Sequence, residues 1–192
     1  MAGIILSVMG QSTVNAQQLT KEDVFFDPDA PVLGNPKGDV TIVEFFDYQC
    51  PYCKKAHPDV RKVVQDDGNV RYVMKDWPVF GDVSVFASQA ALGAVELGLY
   101  EAVNSALMAT PGSLTEAEVK NIIKEAGVDL QKLAGVVNGN FKKISGLLER
   151  NYNQALAFNF SGTPSFVIGT SLYAGVIDQN TLRAAIRSAR AT

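Results

Sequence analysis

The chain has 192 residues, 47% hydrophobic and 19% charged, with a formal net charge of -3. That length suits a single globular domain with a sizeable core and room for an insertion. The acidic balance, with basic residues spread rather than clustered, argues against nucleic acid as a partner, and no apolar run approaches the ~20 residues that span a bilayer.

At the start, the apolar run from Ile4 to Met9 precedes a polar stretch and Val14-Asn15-Ala16. Small residues ahead of a cut after Ala16 are expected of a secretory signal. No Lys or Arg precedes the run, so the segment reads as a truncated signal, with an ordinary apolar start as the alternative. Export implies an oxidising compartment.

Val40 to Phe46 is β-branched or aromatic almost throughout, which predicts a strand buried on both faces. A helix is expected from Pro51 to Asp67-Gly68-Asn69, with Pro51 at its first turn and Pro58 kinking it. Val70 to Met74 predicts a second strand and closes a βαβ unit. From Val83 to Phe158 the pattern turns helical, broken at Gly98 and at Pro111-Gly112. Thr115 and Glu118 match a capping box, and Asp129 and Asn140 are candidate helix starts. Ser165 to Ile168 and Leu172 to Val176 flank a three-residue loop and predict a hairpin. Asp178 caps a last helix whose Arg183, Arg187 and Arg190 are expected to make a solvated face.

The chain has only two cysteines, Cys50 and Cys53, too few and too close for a structural framework. A bridge between them closes a tiny loop, so its purpose is chemical. Cys50 falls at the mouth of the expected helix, where unpaired N–H groups and the helix dipole favour a thiolate. Cys53 is one turn further on, positioned to close a disulfide ring. Such a pair exchanges disulfides through a mixed disulfide. The rival chemistry is zinc held by Cys50, Cys53 and His57, but a fourth ligand would have to be a carboxylate, and His57 is expected on the exposed side of the helix. No metal or other cofactor is therefore expected.

With these residues in hand, the chain resembles the DsbA-like thiol–disulfide oxidoreductases of the thioredoxin superfamily, ScsC-like relatives included. The carrying text is Phe45 to Pro58 (FFDYQCPYCKKAHP) and Gly162 to Gly169 (GTPSFVIG), separated by a helical stretch. The resemblance implies an α/β thioredoxin fold, βαβ then ββα, with an inserted helical subdomain. The implied divisions are a signal remnant at 1–16, an N-terminal segment at 17–38, a thioredoxin domain at 39–82 and 160–192, and the helical insert at 83–159.

The resemblance further implies that Cys50 is the exposed attacking cysteine and Cys53 the buried resolving one. It implies a cis Thr163-Pro164 bond beside the pair, with the backbone of Thr163 binding substrate chain in strand fashion, and Pro51 and Tyr52 tuning the site. Glu44, six residues before Cys50, matches the family's buried acid and is expected to move protons to and from Cys53. A strand-edge acid is the other reading, and Lys75 is its expected partner in both. Tyr48 and Tyr52 are expected at an apolar rim, while Trp77 to Phe80 read equally as groove lining or core.

The implied activity is an exported dithiol oxidase that acts on substrate proteins with cysteines and is reoxidised by a membrane redox partner. A reductase or isomerase kept reduced by a membrane donor is the alternative, favoured by Thr163. Gln17 to Gly38 is too short for a dimerisation domain, so a monomer is expected. A copper-handling role of the ScsC type is the third reading, since thiolates select Cu(I).

Overall fold

The computed structural model describes residues 19–191. The signal reading of residues 1–16 lies outside them. Two short elements come first, helix α1 (Lys21–Phe25) and strand β1 (Val32–Gly34). They are followed by β2 (Val40–Phe46), α2 (Pro51–Asp67) and β3 (Val70–Asp76). Helices α3 (Asp82–Gly93), α4 (Tyr100–Met108), α5 (Glu116–Glu125), α6 (Leu130–Gly139) and α7 (Phe141–Ala157) come next. Strands β4 (Ser165–Ile168) and β5 (Ser171–Ala174) and helix α8 (Gln179–Arg190) complete the chain.

The sheet runs β1-β3-β2-β4-β5, with β2 and β3 parallel and the other pairs antiparallel. This is the mixed α/β architecture of the thioredoxin fold, with α3 to α7 standing between β3 and β4 in the chain. β2 lies at the centre, and all of its residues but Thr41 are buried, as a strand covered on both faces requires. Successive side chains on a strand point to opposite faces. Phe45 points toward the end of α7, where its ring meets Phe158 and Phe160 edge-on. Glu44, its neighbour, therefore points to the other face, which α2 and α8 cover.

Most expected boundaries fall where the local chemistry puts them. α2 ends on Gly68 in the left-handed region (φ 70°), and Thr115 and Glu118 form the capping box of α5. Asp129 and Asp178 cap α6 and α8 by accepting backbone N–H bonds. Asn140 precedes α7 but caps nothing, because its side-chain amide donates instead to Val136 O. The hairpin is tighter than expected. Ile168 pairs with Ser171, so only Gly169 and Thr170 form the turn, and β5 stops at Ala174 rather than Val176.

Arg183 and Arg190 are not merely solvated. Arg183 reaches Asp66, and Arg190 reaches Asp67 and Asp39, fastening α8 to the end of α2. α1 and β1 escaped sequence reading, although Thr20 and Asp23 form a capping box for α1.

Candidate active site

The site stands where β2 ends. Asp47 follows the strand, and its buried carboxylate accepts from Gln49 N (2.7 Å), Val79 N (2.6 Å), Phe80 N (3.1 Å) and Ser84 Oγ (2.7 Å). Those bonds fix the turn into α2 and pin the loop after β3 beside it. Cys50 N donates to Asp47 O, and Cys50 is the N-cap of α2 with Pro51 in the first turn. On the far side, Gln49 exchanges two bonds with the Leu114 backbone, and Lys54 Nζ donates to Thr110 Oγ1 and Gly112 O. The α4–α5 loop is thus held against the cysteine turn. Asp47, Gln49 and Lys54 were not singled out by sequence reading, although an Asp two residues before Gln49 is an ordinary Asx-turn signal.

Both cysteines are free. Cys50 Sγ accepts from Cys53 N (3.4 Å) and as a thiol donates to Thr163 O (3.2 Å). The Thr163-Pro164 bond is cis, as the resemblance implies. Cys50 is pulled down to about 6, foremost because the Cys53 thiol donates to its sulfur. The Thr163 side chain and the N–H groups of Cys53 and Tyr52 add to this, and burial opposes it. Cys53 goes the other way. Burial pushes it far up, and its bond to Cys50 and the nearby Glu44 charge push in the same direction. The two thiols are therefore strongly unlike. One is poised to be an anion at neutral pH and the other is held neutral.

One implied feature needs correction. Cys50 is not exposed, since only 1% of its surface is open. Its sulfur is engaged by Cys53 N and by the Thr163 carbonyl. Tyr52 is 64% exposed and stands at the rim, and Pro51 is exposed beside it. Tyr48 does not. It is fully buried, packed edge-on against Phe46, with its hydroxyl accepting from Asn104 Nδ2. Trp77 belongs to the core against Phe45, whereas Val79 and Phe80 are exposed.

Glu44 is buried, and burial together with the Cys50 sulfur pushes its carboxyl up to about 8. Its expected partner is wrong. Lys75 stands opposite Phe45 in register, hence on the other face of the sheet, where its Nζ lies 3.6 Å from Asp27. Tyr72 takes that place, its hydroxyl donating to Glu44 Oε2. His57 is also corrected. It continues the buried face of α2 one turn past Cys53, and burial and then Arg61 lower it to about 4, so it is neutral. Among the described residues no group of three or more His, Cys, Asp and Glu is placed to hold a metal ion.

Comparison with known proteins defines the class. The thioredoxin family profile matches residues 27–188. A thioredoxin-like oxidoreductase from Silicibacter pomeroyi is 41% identical, with a TM-score of 0.87 over 91% of this chain and 99% of that one. The thiol-disulfide exchange protein α-DsbA2 from Wolbachia pipientis is 28% identical, with a TM-score of 0.82 over 87% and 90%. Among curated relatives, the Na(+)/H(+) antiporter NhaA 3 of Salinispora tropica is 30% identical over 86% of this chain, which spans only 26% of that protein's length. The chain belongs to the thioredoxin family. More particularly, its solved neighbours include, besides α-DsbA2, the catalytic domain of ScsC from Proteus mirabilis, 25% identical with a TM-score of 0.80 over 89% of this chain and 94% of that one.

Proposed function

We propose that this chain is an exported dithiol oxidase that donates its Cys50–Cys53 disulfide to folding proteins. A substrate thiolate bonds to Cys50 sulfur, the Cys50–Cys53 bond breaks, and Cys53 leaves with the electron pair and takes a proton from Glu44. A second substrate thiolate then attacks the substrate sulfur bound to Cys50. Cys50 departs as a thiolate, so the substrate gains a disulfide and the protein pair gains two electrons. A membrane redox partner would take those electrons away. Thr163 and Pro164, with Pro51 and Tyr52, form the substrate-binding edge in this reading.

The observation that carries the proposal is the unlike pair of thiols. With Cys50 lowered from 9 to about 6, the folded dithiol form gains about 1.4 kcal/mol at pH 7. That corresponds to ~30 mV toward a more oxidising couple. Equilibration with glutathione tests it. A potential near the oxidising end supports an oxidase, and one as reducing as thioredoxin's overturns it. Cys53→Ser should accumulate mixed disulfides with substrate, and Cys50→Ser should transfer none.

The isomerase alternative rests on Thr163 before the cis proline and is read by recovery of scrambled ribonuclease. The copper reading is read by Cu(I) titration of the dithiol protein against the variant lacking both thiols. Residues 39–82 and 160–192 are proposed as the thioredoxin domain, 83–159 as a helical insert, and the protein as a monomer.

A further inference from the structure

Resting on the proton-transfer reading of Glu44, we propose that Tyr72 is the positioning residue of the site, its hydroxyl holding the Glu44 carboxyl and offsetting the charge left when Glu44 gives its proton to Cys53. The geometry is built by the sheet. Ile42 pairs with Tyr72 and Glu44 with Met74, so Tyr72 and Glu44 share the face that carries α2 and lie one diagonal step apart. Their side chains meet in a buried hydrogen bond, with the phenol as donor and Oε2 as acceptor. Tyr72 is fully buried, and so is Glu44. Lys75 does not fulfil this role, because it faces Asp27 on the other side of the sheet.

The chemistry follows from the proton's path. Burial favours the neutral acid before transfer, and one oxygen can accept from Tyr72 while the other carries the proton. As the Cys50–Cys53 bond breaks, that proton passes to Cys53 and a carboxylate is left in an apolar setting. A phenol already aimed at Oε2 stabilises that anion with no reorganisation, whereas a phenylalanine ring would leave it bare. The other groups facing Glu44 are few. Cys50 and Cys53 come from α2, while Met74 and Phe166, its partners in register on the flanking strands, carry no charge. His57, on the same helix, is held neutral by its burial and then by Arg61.

The test is Tyr72→Phe, which keeps the ring in the core, read by carbon NMR of the Glu44 carboxyl in the disulfide form, where neither sulfur titrates. Loss of a hydrogen bond to the charged form should move the Glu44 midpoint up by about one pH unit. The pH dependence of Cys53 release from the disulfide should move with it. The same substitution in a Glu44→Gln background should leave the pH profile of exchange unmoved, because the group it acts through is gone. An unmoved Glu44 midpoint in folded Tyr72→Phe overturns the role of Tyr72. If Glu44→Gln alone leaves the pH profile of exchange as it was, the proton-transfer reading itself fails, and the two failures are told apart.

Discussion

Glu44 carries the clearest pH signature at the level of single residues. Its folded value is raised from 4.5 to about 8, so its contribution to stability is complete below 4.5 and is lost as pH climbs through about 8. Burial, the larger cause, persists in the disulfide form whereas the Cys50 charge does not, so unfolding of that form in urea at pH 5 and at pH 9 should show most of this loss. In Glu44→Gln the drop should shrink by a few kcal/mol. A smaller slope should remain from Asp76, which burial raises to about 7.

Glu44 was legible in the sequence because a carboxylate inside an apolar strand is anomalous. Its partner was not, because a partner depends on which face each strand residue takes, and nothing in the sequence fixes the register of β2 against β3. Cys50 was legible as the N-cap of a helix, but its burial depends on a loop more than a hundred residues away.

At the scale of elements, α2 and the turn before it do most of the positioning. The helix ends because Gly68 adopts φ 70°, and a Cβ placed there meets nothing within 4 Å. The cost of Gly68→Ala is therefore conformational alone, about 1 kcal/mol. Urea unfolding should show that loss with the activity of the site unchanged. The capping signals Thr115, Asp129 and Asp178 were readable because each acts within a few residues of itself. β1 is three residues long, between Pro31 and Pro36, and carries too little periodicity to register. Its existence depends on pairing with β3.

Across the whole molecule, the N-terminal segment, the sheet and α7 meet at a buried charge cluster. Asp27 accepts two bonds from Arg150 and faces Lys75, which is fully buried and lowered to about 8, foremost by desolvation. Asp27→Asn leaves Lys75 without its countercharge and should cost about 3 kcal/mol in thermal or urea unfolding. Arg150→Ala should cost less, because the guanidinium is partly open to water and Asp27 keeps Lys75.

The order of strands and helices was legible because the cysteine text and the Thr-Pro text bracket the helical run. The ion pairs that tie α7 to the N-terminal segment and α8 to the end of α2 were not, since those charges meet only after folding. The entire arrangement converges on one sulfur, and the most direct measurement is the pH titration of Cys50 in the dithiol protein by thiolate absorbance. A transition near pH 6 that vanishes in Cys50→Ser is the predicted result. A Cys50 transition at 9, the ordinary thiol value, would contradict the account.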